Sequence, residues 1–311
     1  MNKRERVEAV LTGKPVDFPP ISLWYHFGLQ HLPGERHARA SLDFFRHYDL
    51  DFLKVMNDYC YPPPQGLDAV KSRADLETIH IFDVEDSPWR EQFKALDVIA
   101  RELDGEALFL DTVFDPFQTL RRNMAGEYME MLMETEPQAM LDALEIISDN
   151  LIAYCKRSLA IGTAGIFMSI PAGAELITRE RFRTFVKPFA LRVFEAIRAD
   201  GPMNTLHIHG SCDLCMEDCY DFPVPVFNWW DRGPTGPSLA EVKERTDACV
   251  MGGIDHERVA GNTIAHMKTH VGEALEMGGD TRFFLTNGCS IDTWTRPETI
   301  HAMVRAAREP R

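Results

Sequence analysis

Several things are missing from this 311-residue chain, and each absence narrows what it can be. No apolar run approaches the roughly 18 residues that a membrane-spanning helix needs, so no membrane span is expected. The N-terminal Met1-Asn2-Lys3-Arg4-Glu5-Arg6 carries charge, but no apolar core of a secretory leader follows it, and a cytoplasmic location is expected. No glycine-rich loop of the dinucleotide or phosphate-binding kind follows any β-rich run. No low-complexity tract, no short repeat and no linker divides the chain, which reads as one domain over 1–311. Positive charge is scarce: 33 Lys and Arg stand against 48 Asp and Glu, a formal net charge of -15. Such a surface repels phosphate backbones and anionic membranes, so neither nucleic acid nor a membrane is expected as a partner. The seven cysteines are odd in number and irregularly spaced, which reads as thiols or metal ligands and not as a disulfide framework.

What is present is an alternation. Short β-rich runs recur at 20–25, 51–56, 107–113, 165–170, 203–209, 224–230, 248–254 and 282–287, the sixth weakened by Pro225. Helical patterns separate them. Asn2 is placed to cap a first helix ending before Gly13, and Ser87-Pro88 to start another. A long helix is expected from Thr135-Glu136-Pro137 to Gly162, and one from Thr178 to Gly201 that Pro188 should kink or split. Ser238 is placed to cap a short helix, and a last helix follows Arg296-Pro297. Eight strands alternating with helices in about 300 residues predict a closed (β/α)8 TIM barrel, with the first helix covering it from outside.

In such a barrel the residues at the C-terminal ends of the strands line the active site. His207 and His209 lie two apart at the end of the fifth run, so both imidazoles face one way. Cys289 follows the eighth run, at the same end of the barrel. Two imidazoles and a thiolate form a three-ligand zinc set with a position left for substrate or water. The competing reading makes all three core residues, because a single strand histidine is more often a hydrogen-bonded core residue than a ligand. Cys212, Cys215 and Cys219 form a rival cluster, on one face if helical, although packing a helix against the barrel accounts for them equally well. Tyr25 and His26 follow the first run as substrate contacts, His26 also as a further ligand. Asp231 and Asp255 follow the sixth and seventh runs, as bases or partners of histidine, and either could instead cap the next helix. Glu175 follows the fourth run with the same ambiguity.

Read in order, several stretches resemble the uroporphyrinogen decarboxylase superfamily. They are 6–19 (RVEAVLTGKPVDFP), 48–55 (YDLDFLKV) and 173–178 (GAELIT) with Phe182, Phe185 and Pro188 after it. Leu206-His207-Ile208-His209-Gly210 resembles the family's His-x-Cys-Gly segment. Gly252-Gly253-Ile254-Asp255 resembles its Gly-Asn-x-Asp-Pro, and 287–291 (NGCSI) its closing Gly-Cys element. The resemblance implies a (β/α)8 barrel. The decarboxylase proper carries an Arg-Gln-Ala-Gly-Arg-Tyr segment that grips the substrate carboxylates, and here that region is Leu23-Trp24-Tyr25-His26-Phe27-Gly28, without arginine. The chain is more similar to the methylcobalamin:coenzyme M methyltransferase branch. That similarity implies zinc on His207 and Cys289, a corrinoid (cobalamin) carried by a partner protein, and a small-molecule methyl donor or acceptor. His209 departs from the pattern by standing where the branch has cysteine. An imidazole in place of a thiolate raises the charge of the site by one, so a bound thiol or water loses its proton more readily and the resulting anion is a weaker nucleophile. Two other readings remain open on the sequence. One is a metal-independent decarboxylase or lyase of a small acid or tetrapyrrole using Asp231 or Asp255, and the other is a non-catalytic corrinoid-binding barrel.

Overall fold

The computed structural model describes residues 1–309. Seven parallel strands run in sequence order: β1 (Phe52–Val55), β2 (Leu108–Phe114), β3 (Gly165–Pro171), β4 (Thr205–His209), β5 (Val226–Trp229), β6 (Cys249–Ile254) and β7 (Phe283–Asn287). Each pairs only with its chain neighbours, and helices fill the connections, as right-handed βα units require. The strands are almost entirely buried, as expected for a parallel sheet covered on both faces.

The eighth expected strand is not a strand. Of 20–25, only Ile21 forms a bridge, parallel to Leu285 of β7. Yet this one residue closes the curled sheet. Ser22 N–H donates to the Leu285 carbonyl at 3.2 Å, Leu285 N–H to the Pro20 carbonyl at 3.0 Å, and Asp51 N–H to the Ile21 carbonyl at 2.8 Å. The Ser22 hydroxyl adds a bond to the Phe52 carbonyl at 2.8 Å. Pro19 and Pro20 offer no N–H, so the ladder cannot extend backwards.

The helix signals fared well. Asn2 caps Lys3–Leu11 in a capping box with Glu5, and Ser238 does the same with Glu241 for Leu239–Arg245. The long helix is Pro137–Ile161, ended by Gly162 at φ +121°. Thr178 caps the next segment, and Pro188 has the expected effect. With no N–H at position 188, the helix widens to a π-type turn over Phe182–Val186 before resuming as Lys187–Ile197. The Ser87 hydroxyl accepts the Trp89 N–H at 3.2 Å and donates to the Val84 carbonyl, closing the turn that leads into Arg90–Leu103, which itself begins only after Trp89. A further helix, Gly34–His47, packs on Arg90–Leu103; the Glu91 carbonyl lies where a Cβ at Gly34 would sit, 1.9 Å away, so only glycine allows that approach.

The first helix covers one end of the barrel. Val7 and Val10 are fully buried with Phe52, Leu110, Val226, Met251 and Phe284, one from each of five strands, and with Met203 just before β4, residues that fill the barrel's interior. The helix therefore plugs the N-terminal end, and the interior stays open only at the other end. Among the described residues no helix is long and apolar enough to cross a membrane.

Candidate metal centre

At the open end, the alternation of β4 aims His207 and His209 inward, and the turn after β7 brings Cys289 to them. One ligand atom from each lies within 4.8 Å of the others, the only such grouping of His, Cys, Asp or Glu among the described residues. The Cys289 Sγ to His209 Nδ1 distance is 3.7 Å. A tetrahedral zinc with bonds of about 2.3 Å to sulfur and about 2.0 Å to nitrogen would hold such a pair about 3.5 Å apart. The third ligand, within 4.8 Å of the other two, needs an adjustment of at most about 1.5 Å by the same geometry.

The surroundings prepare these atoms for a cation. Asn228 in β5 donates its amide N–H to the Met251 carbonyl at 2.8 Å and the Asn287 carbonyl at 3.2 Å. Its amide is thereby fixed, with Oδ1 turned to His207 Nδ1 at 2.6 Å. An acceptor at that position requires a proton on Nδ1, which leaves the Nε2 lone pair free. The Phe167 ring stacks on the His207 imidazole at 5.3 Å between centroids. Burial pushes His207 well below the usual histidine range, with the neighbouring His209 and Lys54 adding to the effect, and burial lowers His209 too. Both are neutral at pH 7, the form that binds metal. Burial raises the Cys289 thiol, while the Ser290 N–H and Lys54 oppose the rise. A bound dication would supply the positive charge this thiolate lacks.

Two cavities meet at the triad. One, of about 100 Å³, is lined by Trp24, His26, Lys54, Gln118, Arg122 and Phe167 as well as the triad. The other, of about 190 Å³, adds Glu175, Trp230, His256 and Glu257. A larger outer basin of about 510 Å³ contains His31, Asp58 and Cys60 and shares His26, Phe114 and Arg122 with the first cavity.

The other sequence-derived candidates fall into place around this centre. His26 is not in the ligand group; its Nδ1 meets Asp58 Oδ1 at 2.6 Å. Glu175 borders the second cavity, and its carboxylate accepts the N–H groups of Ser211 and Cys212, tying down the loop after His209. Tyr25 packs edge-on against Phe44 and beside Phe27. Asp231 accepts the Gly253 N–H at 2.9 Å, and Asp255 accepts the Trp230 indole N–H at 3.2 Å; neither borders the cavities around the triad. The rival cysteines do not form one face. Cys212 is exposed, Cys215 and Cys219 are buried in the core, and the Cys219 thiol donates to the Cys215 carbonyl at 3.3 Å. The turn over Met216–Asp218 is too short to align three cysteines.

Sequence reasoning missed Lys54, Asn228 and Asp58. Lys54 is 4% exposed, and its ammonium lies 4.3 Å from the Phe167 ring and 5.1 Å from that of Trp24. Burial pulls its pKa down to about 7. The signal was there: Lys54 stands two residues after the inward Phe52, so the period of the strand predicts a lysine inside the barrel.

Known proteins share much of this chain. It is 26% identical over 226 residues to a "Methylated-thiol--coenzyme M methyltransferase" of Methanosarcina mazei, covering 69% of this chain and 57% of that protein. It is 22% identical over 235 residues to a "Uroporphyrinogen decarboxylase" of Idiomarina loihiensis, covering 63% and 64%. The chain thus spans less than two thirds of either relative's length. A solved "methyltransferase from Methanosarcina mazei" has the same fold over 99% of both chains, with a TM-score of 0.79 at 18% identity. Residues 61–310 match the family described as uroporphyrinogen decarboxylase (URO-D), and the chain belongs to that family.

Proposed function

We propose that this protein is a zinc-dependent methyltransferase that moves a methyl group between a corrinoid, carried by a partner protein, or a methylated small molecule and a thiol or similar acceptor. The convergence of His207, His209 and Cys289 at the open end of the barrel carries the reading. Likeness to the methylated-thiol methyltransferase supports it, as does the absence of arginine from 23–28, where a decarboxylase of this family would grip carboxylates.

Bound in this triad, zinc would lower the pKa of a thiol and present its sulfur as thiolate to the methyl group. The chain's own groups do the rest. Asn228 holds the His207 tautomer. Phe167 and Trp24 wall the cavity and keep water from the reacting sulfur. Glu175 fixes the loop that follows His209. Asp231 holds the backbone of the β6 end and Asp255 holds the Trp230 indole, and neither touches substrate.

Metal analysis of protein purified without chelator tests this. About one zinc per chain is expected, falling toward zero in His207→Ala and Cys289→Ala, with methyl transfer from methylcobalamin to coenzyme M lost in parallel. A wild-type content near zero that neither variant changes would overturn the reading.

A further inference from the structure

Thiol chemistry at a metal raises a question of where the proton goes. Binding as thiolate breaks the S–H bond, and the proton must leave the triad; of the two cavities that meet there, the one of about 100 Å³ adjoins the outer basin. Three side chains line both that cavity and the outer basin: His26, Phe114 and Arg122. Phe114 has no exchangeable proton, and a guanidinium does not give one up in water. Of the three, only His26 carries ring nitrogens that can both accept and donate a proton.

Its setting suits that task. The His26 side chain is 42% exposed, while its Asp58 partner is 20% exposed. The Asp58 carboxyl is held below its ordinary range against the pull of burial, chiefly by its bond to His26, so it is an acceptor at pH 7. The 2.6 Å contact to Nδ1 then fixes that nitrogen as the donor and leaves Nε2 as the exchanging atom. Around the pair stand Arg122, His31 and Cys60 from the basin, Lys54 from β1 and His37 from Gly34–His47.

We propose that His26 is the proton carrier of the site. It accepts at Nε2 the proton that an incoming thiol loses at the triad, and releases it to water in the outer basin while Asp58 holds the ring. The inference rests on the thiol-and-zinc reading above. No electron changes hands: one S–H bond breaks, one N–H bond forms at Nε2, and that bond breaks again to solvent.

The test mixes zinc-loaded protein rapidly with coenzyme M, or with 2-mercaptoethanol, in weak buffer containing a pH indicator. Wild type should release one proton per thiol bound. His26→Gln should keep its zinc, its equilibrium thiol affinity and its single released proton, but release it about 100-fold more slowly, the usual worth of a positioned acid–base group. Added imidazole should restore the rate. Asp58→Asn, which keeps the ring but frees it to turn, should slow release about 10-fold. Release from His26→Gln at the wild-type rate overturns the proposal and leaves the thiol reading standing. Slow release that imidazole fails to restore also overturns it, because the residue is then structural. Thiol binding to wild type with no proton released overturns both readings together.

Discussion

The two ends of this barrel bury cations in opposite ways. At the plugged end, Arg6 is 4% exposed and completely paired: it donates to Asp51 at 2.6 Å and to Asp17 at 2.8 Å, and also to the Met1 carbonyl. At the open end, Lys54 is equally buried, yet no carboxylate bonds to it; the Met56 sulfur and two aromatic rings are its neighbours. Asp51 and Lys54 lie only three residues apart on the same stretch of chain. The plugged end uses its polar groups to join the first helix to the closing segment, since Asp51 also accepts the Ile21 N–H. The open end leaves the Lys54 ammonium without a carboxylate, beside the cavity that a ligand would enter.

The strongest way to break this comparison is Arg6→Met. Removing Arg6 leaves the fully buried Asp51 carboxylate with only the Ile21 N–H and Arg308 at 3.8 Å, and a loss of about 3–5 kcal/mol is expected in urea unfolding. Zinc content of the protein that remains folded should not change. If Lys54 is as poorly compensated as its contacts indicate, Lys54→Met should do the reverse and stabilise the metal-free protein. The pH dependence fixes the sign. Its folded pKa of about 7 lies below the unfolded value, so between pH 7 and 10 the unfolded chain binds more protons. Wild-type stability therefore rises across that window, by several kcal/mol at about 1.4 kcal/mol per pKa unit. Lys54→Met should lack the rise, and its advantage should be largest at and below pH 7. An identical pH slope in both proteins would show that Lys54 is compensated after all.

How much of this could be read from the sequence follows the same divide. His207 and His209 were legible because their spacing is local, at strand period; Cys289, 80 residues beyond His209, was legible only because it too stands just past a barrel strand. The barrel was legible for the same reason, through eight apolar runs. Closure by one bridge was not, since only the two prolines hint that 20–25 cannot pair along its length. Arg6 reads as ordinary helix charge until Asp51 and Asp17 are brought to it from 45 and 11 residues away. Asn228 and Asp58 gain their roles only from partners 21 and 32 residues distant. Long-range pairing of polar side chains leaves no periodic trace.

A smaller effect sharpens the picture of the open end. Asn228→Leu removes the acceptor that sets the His207 tautomer, without touching the ligand itself. Zinc affinity measured by chelator competition should fall about 10–100-fold, the usual worth of such a partner. Folding should suffer less than in Arg6→Met, because Asn228 bonds two carbonyls, not a buried charge. An unchanged affinity would mean that His207 binds through Nδ1, or not at all.

The least disruptive change is His209→Cys. His209 Nδ1 already lies 3.7 Å from Cys289 Sγ, so a thiolate there would keep a three-ligand set while lowering the charge of the site by one. A less positive centre should hold zinc at full stoichiometry but acidify a bound thiol less, so the pH at which coenzyme M is taken up as thiolate should rise by about one unit, each unit being about 1.4 kcal/mol. Above that pH the sulfur should attack a methyl donor faster, because a thiolate held by a weaker cation is the better nucleophile. If the uptake pH instead stays fixed, the charge that acidifies the thiol comes from Lys54 and Arg122 around the cavity. The departure at 209 would then tune geometry and leave reactivity alone.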